Sequence, residues 1–142
     1  MSRRAVAAGL LHDAGDNGEE SYLIGARCPC CELVLFPPFW ICPRCLNREQ
    51  RPEPLRIGGA ATLDRFCVSE RGPKVFNPPY VNGFVRLDEG PLVYSLIRGV
   101  SAAAPGLHSG QRMRVTVDTV RVDDDGTEVV GWITRPAEAA RR

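Results

Sequence analysis

The chain has 142 residues and a formal net charge of +1, from 18 basic and 17 acidic side chains. This near balance argues against a dedicated nucleic-acid binder, which usually carries an obvious basic excess or stripe. No window reaches the roughly 18 apolar residues of a membrane span, and the opening apolar run is too short for a secretory signal. We therefore expect a cytoplasmic protein with reduced thiols and no membrane partner.

The first part of the chain predicts an arm followed by a hairpin. Residues 1–21 show no sustained helical or alternating period, so we expect a flexible N-terminal arm. Residues 22–27 and 33–36 predict two short strands on either side of a cysteine turn. Pro37 and Pro38 then force an extended corner, because proline fixes its own φ and restricts the preceding residue.

Two Cys-x-x-Cys pairs dominate the first third of the sequence. Cys28 and Cys31 form one pair, and Cys42 and Cys45 form the other. Four thiolates at this spacing suit a structural, tetrahedral Zn²⁺, with each pair in a tight turn whose N–H groups point at the sulfurs. Iron is the alternative metal for the same ligands. Cys30 is an extra thiol inside the first turn, interpreted as a bystander, with a swapped ligand left open.

The rest of the chain predicts a small barrel. Apolar and polar residues alternate in the longest candidate strand, which indicates one buried face, and Gly, Pro or Asp separates the strands. The predicted fold class is mainly β: a zinc ribbon and linker over residues 22–57, a five-stranded OB-fold barrel over 58–136 and a tail over 137–142. The five strands are expected at residues 59–70, 81–88, 92–98, 112–122 and 128–134.

Several motifs along residues 20–136 together resemble one family. They lie at residues 23–31, 36–38, 42–45, 79–80, 84–91 and 110–115. In this order they resemble the rubredoxin-like zinc ribbon and OB-fold of the zinc-ribbon/OB-fold acyl-CoA-associated family. Its members are small auxiliary subunits of thiolase-like enzymes, including thiolases, acyltransferases and steroid side-chain aldolases.

The resemblance implies a non-catalytic subunit of a hetero-oligomer. The chain would bind a thiolase-like enzyme and help form its acyl-CoA entrance. It would thereby support acyl-CoA thiolysis, condensation, acyl transfer or retro-aldol cleavage, with the chemistry in the partner. No catalytic residue is predicted in this chain, since neither histidine has a sequence-local nucleophile or carboxylate pattern. Two other classes remain open: a ribbon/OB-fold nucleic-acid binder and a rubredoxin-like electron carrier.

The ribbon departs from the family pattern at several positions. Glu32 and Leu46 follow the two cysteine turns, where glycine is common because it adopts the left-handed conformation easily. Phe39 follows the proline pair, where a basic residue is common. With Phe36 and Trp40 it makes an aromatic cluster, which serves either ribbon packing or a partner interface.

The loop over residues 71–80 joins the first two barrel strands, where OB-folds commonly bind ligands. One interpretation is a rigid crossover stiffened by proline. The other places Lys74 near the phosphates of coenzyme A and sets Phe76 or Tyr80 against the acyl chain or the partner. Cys67 lies in the middle of the preceding strand and is expected to be a buried, small apolar side chain.

Overall fold

The secondary structure consists almost entirely of β-strands in the computed structural model, which describes residues 3–13 and 21–137. A short 3-10 helix, Lys74–Phe76, lies between the sixth and seventh strands. Within these described ranges no helix is long and apolar enough to cross a membrane. The strands are β1 (Arg3–Ala5), β2 (Leu11–His12), β3 (Tyr22–Arg27), β4 (Val34–Leu35), β5 (Glu53–Ile57), β6 (Ala60–Ser69), β7 (Tyr80–Leu87), β8 (Leu92–Ile97), β9 (Arg112–Val122) and β10 (Glu128–Pro136).

Five of these strands close into a barrel in the order β10-β8-β7-β6-β9, with β9 pairing back onto β10. The β8–β10 pair is parallel, and the other barrel pairs are antiparallel. This order and closure confirm the predicted OB-fold, which removes the open sheet edges by pairing them. Each barrel strand begins and ends within two residues of its predicted bounds.

A bulge bends β6 into the barrel wall. The register with β7 shifts between Leu63 and Arg65. Gly83 faces this irregularity from β7, and a Cβ placed there would lie 2.3 Å from the Arg65 carbonyl oxygen. The absent side chain therefore allows the close backbone approach that the bend requires.

The ribbon forms a second, smaller sheet. β3 is its central strand and pairs with β2, β4 and β5, all antiparallel. The β3–β4 pairing is the hairpin predicted on either side of the first cysteine turn, and β5 lies within the predicted linker. The ribbon is thus a small antiparallel sheet that carries the two cysteine turns.

The ribbon and the barrel share one hydrophobic core. Leu23 and Ile57 of the ribbon belong to the same buried cluster as Leu63 and Met113 of the barrel. Each of the four is at most 2% exposed. The two modules are therefore packed against each other, and the barrel contributes to holding the ribbon.

The described part of the predicted N-terminal arm contains β1 and β2. β1 pairs in parallel with β10, and β2 pairs with β3. Arg3 forms ion pairs with Asp13 at 3.0 Å and Glu128 at 2.6 Å. Strands of two or three residues are too short to show a period, so no sequence pattern could reveal them. Pairing with β10 and β3, together with the ion pairs of Arg3, holds these two strands in place.

Asp123 gives this N-terminal attachment a pH dependence. It accepts hydrogen bonds from Arg4 at 2.9 Å and Arg121 at 3.1 Å, and these guanidinium groups hold the pKa of its carboxyl below the ordinary value. The ion pairs therefore stabilise the fold above the unfolded-state pKa of about 4 and are lost as the pH falls through the lower folded-state pKa. We expect the thermal midpoint to fall on acidification below about pH 4.

Substitution of Asp123 by asparagine should remove part of that acid-induced loss. Thermal melts between pH 7 and pH 3 measure the effect. The midpoint of the Asp123→Asn variant should lie a few degrees below that of the unmodified chain at pH 7, and this difference should shrink as the pH falls. Asp124→Asn is the matched control, because Asp124 is exposed and forms no ion pair with any described residue. Equal acid sensitivity of the two variants would contradict the prediction.

Candidate metal centre and aromatic surfaces

The two cysteine turns have the same backbone geometry. The N–H of Glu32 donates to the Cys28 carbonyl at 2.9 Å, and the N–H of Leu46 donates to the Cys42 carbonyl at 2.9 Å. Glu32 has φ 64° and Leu46 has φ 56°, in the left-handed region. These are the positions where the sequence predicts a costly non-glycine conformation, and the strain is present in both turns.

The two turns bring four sulfur atoms together. The Sγ atoms of Cys28, Cys31, Cys42 and Cys45 all lie within 4.8 Å of one another. The Cys28–Cys45 and Cys31–Cys42 pairs are both 3.5 Å apart. A tetrahedral Zn²⁺ with Zn–S bonds of about 2.3 Å separates its sulfurs by about 3.8 Å, whereas a disulfide is about 2.05 Å long. The four free thiols can therefore hold a metal ion.

The electrostatics of the cluster favour a cation. The backbone N–H groups of Cys31 and Cys30 stabilise the Cys28 thiolate against burial and lower its pKa to about 6. The N–H of Asn47 likewise favours ionised Cys45, but the hydrogen bond to the Cys28 sulfur and burial outweigh it and raise the Cys45 pKa to about 12. The pKa values of Cys28 and Cys42 are lowered and those of Cys31 and Cys45 are raised, so ionisation of one sulfur opposes ionisation of its neighbour. A divalent cation at the centre removes this conflict.

Cys30 lies outside the four-sulfur cluster. Its thiol donates to Gln50 Oε1 at 3.1 Å, and Asn47 Nδ2 donates to its sulfur at 2.9 Å. The side chain is exposed. This placement agrees with the bystander interpretation and leaves the Cys28/Cys31 spacing as the ligand pair.

The predicted burial of Cys67 is wrong. Its side chain is exposed, and its thiol donates to Asn82 Oδ1 at 3.0 Å. The bulge after Leu63 explains the difference, since Leu63 faces the core before it and Phe66 packs against the core after it. The inward positions of β6 thereby change from odd to even residues, and Cys67 turns outward.

We expect two of the six cysteines, Cys30 and Cys67, to react with a maleimide in the metal-loaded protein. Both are exposed and lie outside the four-sulfur cluster, whereas the other four sulfurs, including that of exposed Cys45, lie within 4.8 Å of one another and would be bound to the metal. Peptide mapping by mass spectrometry identifies the labelled positions, and chelation should bring all six into reach. Rapid labelling of Cys31 or Cys45 before chelation would contradict the proposed ligand set.

The predicted aromatic cluster divides into two environments. Phe36 packs edge-to-face on Trp132 of the barrel, with ring centroids 5.2 Å apart. Phe39 is 49% exposed and Trp40 is 76% exposed. The Arg51 guanidinium lies 5.3 Å from the Trp40 ring centroid. Phe36 therefore has the packing role, and Phe39 and Trp40 remain available at the surface of the second cysteine turn.

The loop after β6 brings its two aromatic rings together. Phe76 and Tyr80 have ring centroids 5.7 Å apart, and exposed Lys74 begins the 3-10 helix. Phe76 also lines a mainly apolar groove of about 160 Å³ with Tyr94 and Trp132. The sequence did not point to Tyr94 or Trp132. The available signal for Tyr94 was its outward position in the alternation of β8.

The comparisons with known proteins agree with this architecture. Residues 55–118 match the family model described as the C-terminal OB-fold domain of ChsH2. A DUF35 domain-containing scaffold protein from Methanocaldococcus jannaschii is 30% identical over 123 residues, covering 84% of this chain and 85% of the relative. The chain belongs to the DUF35 family.

Two further similarities extend over most of this DUF35 chain. The benzoylsuccinyl-CoA thiolase subunit BbsA from Thauera aromatica is 30% identical over 124 residues, covering 86% of this chain and 81% of that protein. A solved structure of an Ltp2-ChsH2(DUF35) aldolase matches with a TM-score of 0.64 at 24% identity, covering 82% of this chain and 85% of the other. The structural match supports a shared fold.

Proposed function

We propose that this DUF35 protein is an auxiliary subunit of a thiolase-like enzyme and helps form the acyl-CoA entrance of that partner. The similarity to a thiolase subunit over 86% of the chain carries this proposal, because it spans both the ribbon and the barrel. The thiolysis, condensation, acyl transfer or retro-aldol cleavage would take place in the partner. This chain would not turn over acyl-CoA alone.

The metal in this proposal is a structural Zn²⁺ held by Cys28, Cys31, Cys42 and Cys45. Their sulfur separations and converging backbone donors fit a closed tetrahedral site with four protein ligands. Zinc would fix the ribbon and leave no position for a substrate. The free thiols fit a reducing, cytoplasmic setting. A red preparation with stoichiometric iron would favour the electron-carrier alternative.

The partner interface is proposed at the exposed aromatic residues of the ribbon. Trp40 and Phe39 are large apolar side chains with much of their surface in solvent, and Arg51 lies over the Trp40 ring. Tryptophan and arginine are enriched at the energetic centres of protein interfaces. Phe36 would hold this part of the ribbon against the barrel through its edge-to-face contact with Trp132.

Acyl-CoA contact is proposed for the loop after β6. The Phe76–Tyr80 pair and the adjoining groove offer an apolar surface, and Lys74 offers a cation for phosphate at the start of the same 3-10 helix. In this arrangement the ribbon binds the enzyme, and the barrel loop borders the ligand that the two chains share.

Affinity purification of the tagged chain from its native cells tests the proposed function. We expect a thiolase-like protein to co-purify in stoichiometric amount and to supply the acyl-CoA activity. Robust thiolysis or condensation by the purified chain alone would overturn the auxiliary assignment, as would a stoichiometric redox enzyme in place of the thiolase.

Replacement of Trp40 by alanine should weaken that complex strongly while leaving the fold intact. Truncation of an interface hot spot costs about 2 kcal/mol or more, so we expect at least a ~30-fold rise in Kd by calorimetry with the purified partner. Leu92→Ala is the matched control, since Leu92 is an exposed apolar residue of the barrel. Unchanged affinity of the Trp40 variant would remove this surface from the interface.

A further inference from the structure

The apolar groove beside the 3-10 helix is built from distant parts of the chain. Strands β8, β9 and β10, the 3-10 helix and the residue after β1 all line it. Six of its lining side chains are apolar or aromatic: Val6, Phe76, Tyr94, Leu96, Val120 and Trp132. Among the described residues that line it, none is Asp or Glu. The groove therefore presents mainly carbon surface to a ligand.

The polar groups that line the groove already have partners. The Trp132 indole N–H donates to the Tyr94 carbonyl oxygen at 2.8 Å. The Ser95 hydroxyl donates to a backbone carbonyl at 2.8 Å, and Arg121 Nε donates to Asp123 at 3.1 Å. A ligand in the groove therefore does not need to supply a hydrogen bond, and its bound part should be apolar.

The three aromatic rings of the groove are each held by a ring outside it. Trp132 contacts Phe36 edge-to-face with centroids 5.2 Å apart, and Tyr94 contacts Phe84 edge-to-face at 5.6 Å. The ring of the 3-10 helix contacts Tyr80 at 5.7 Å. Because the walls are fixed in this way, a ligand has few side chains to order when it binds.

Gly131 of β10 leaves space between two valines of the groove. A Cβ placed there would lie 3.1 Å from Val120 Cγ1 and 3.4 Å from Val6 Cγ1. Val6 is held at this point because its N–H donates to the Val130 carbonyl at 2.7 Å, next to the β1–β10 pairing. The N-terminal segment thus supplies one wall, and the missing side chain of Gly131 keeps the groove open.

The size of the groove limits what it can hold. Its volume of about 160 Å³ is close to that of an apolar protein cavity of about 150 Å³ that binds benzene. We propose that the groove holds the acyl group of an acyl-CoA when that group is a single apolar ring such as benzoyl, an inference that rests on the acyl-CoA contact proposed above. Two fused rings exceed this space, and an acetyl group leaves most of it empty.

The surroundings of the groove fit the two ends of such a ligand. The groove shares Val120 and Arg121 with a second depression, which Lys74 also lines. Lys74 is exposed and forms no ion pair with any described residue, whereas Asp118 in the same depression is paired with Arg135 at 3.1 Å. The ring would therefore lie in the groove, and the phosphates of coenzyme A would lie toward Lys74.

Calorimetric titration of the full-length, metal-loaded chain tests the inference. The probes are acetyl-CoA, benzoyl-CoA and 2-naphthoyl-CoA, which share coenzyme A and differ only in the acyl group. We expect benzoyl-CoA to bind about 10-fold more tightly than acetyl-CoA, because the groove removes part of the ring from water. Naphthoyl-CoA should bind no more tightly than benzoyl-CoA, since its second ring stays outside.

Variants that change the groove should change this preference. Gly131→Ala places a methyl group between the two valines and should abolish most of the advantage of benzoyl-CoA. Phe76→Ala removes one wall without changing the buried core cluster and should do the same. Val6→Ala widens the groove and should favour naphthoyl-CoA. Leu92→Ala is the control, because Leu92 is an exposed apolar residue of β8 that does not line the groove.

Tryptophan fluorescence locates the bound ring. The chain has two tryptophans, so Trp40→Phe leaves Trp132 in the groove as the only one. Benzoyl-CoA at saturation should change its emission, and acetyl-CoA should change it much less. Thermal midpoints and metal contents check that every variant is folded.

Several results would overturn the assignment of the groove. They are the absence of acyl-CoA binding by the chain, equal affinity for acetyl-CoA and benzoyl-CoA, and a benzoyl preference that survives in Gly131→Ala. If Gly131→Ala instead weakens only the complex with a co-purified enzyme, the groove belongs to a protein interface. A thiolase-like partner bound to a chain without acyl preference would remove this inference and leave the auxiliary role standing. A benzoyl preference in a chain that binds no such partner would do the reverse.

Discussion

Replacing Cys42 with serine is expected to abolish stoichiometric metal binding and to unfold the ribbon. The Cys42 side chain is fully buried, and its sulfur lies 3.5 Å from that of Cys31. Structural Zn²⁺ contributes about 10–16 kcal/mol to folding at neutral pH, comparable with the whole stability of a domain. Elemental analysis and thermal melts by circular dichroism measure the loss. Chelation of the unmodified protein should give the same unfolded ribbon.

Cys30→Ser is the matched control for this result. Cys30 is in the same turn as two of the proposed ligands, but its thiol is hydrogen-bonded to Asn47 and Gln50 and lies outside the four-sulfur cluster. We expect full metal content and a nearly unchanged thermal midpoint. Loss of metal from the Cys30 variant, with retention in Cys31→Ser, would show that the two residues exchange roles.

Loss of the metal should also lower the stability of the barrel. Leu23 and Ile57 of the ribbon are buried against barrel residues in one cluster. An unfolded ribbon exposes the barrel side of that contact to water, at about 25 cal/mol for each Å² of apolar surface. The barrel strands close by their own pairing, so we expect a destabilised barrel that still unfolds cooperatively.

The parts of the fold that the sequence could predict are those with a local signal. The cysteine spacing predicted which four sulfurs come together, because two Cys-x-x-Cys pairs at this separation have few structural alternatives. The barrel strands were predictable from alternation and turn residues. β1 and β2 carry no such signal, because strands of three and two residues are too short to show a period and their positions depend on pairing with β10 and β3.

Surface chemistry was harder to predict than topology. Phe36 and Trp40 are four residues apart in one aromatic segment, yet one packs on Trp132 and the other is 76% exposed. Cys67 faces outward instead of inward because of a single bulge, and no residue type in the sequence indicates that bulge. The pairing of Phe84 with Tyr94 likewise depends on strand register. Each case requires knowledge of which residues are opposite one another, and composition does not contain it.

Gly59→Ala is expected to destabilise the barrel by about 3 kcal/mol or more, in the upper range of single substitutions. Gly59 has φ +93°, and a Cβ placed there would lie 2.5 Å from the Val115 carbonyl oxygen. The Gly59 carbonyl also accepts the Val115 N–H at 2.8 Å, next to the β6–β9 pairing that closes the barrel. Alanine must either keep a strained φ or move the strand, and moving the strand breaks this hydrogen bond. Urea unfolding measures the shift in midpoint.

Gly58→Ala isolates the cause, because it makes the same chemical change one residue earlier. A Cβ on Gly58 would meet only Glu89 Oε2, at an ordinary 3.4 Å. The Gly58 N–H that donates to this oxygen at 2.9 Å is retained in alanine. A change of less than about 1 kcal/mol is therefore expected, since neither backbone strain nor a steric clash is introduced. Equal destabilisation by both substitutions would mean that chain stiffness in this linker, and not the close approach of Gly59 to β9, limits barrel closure.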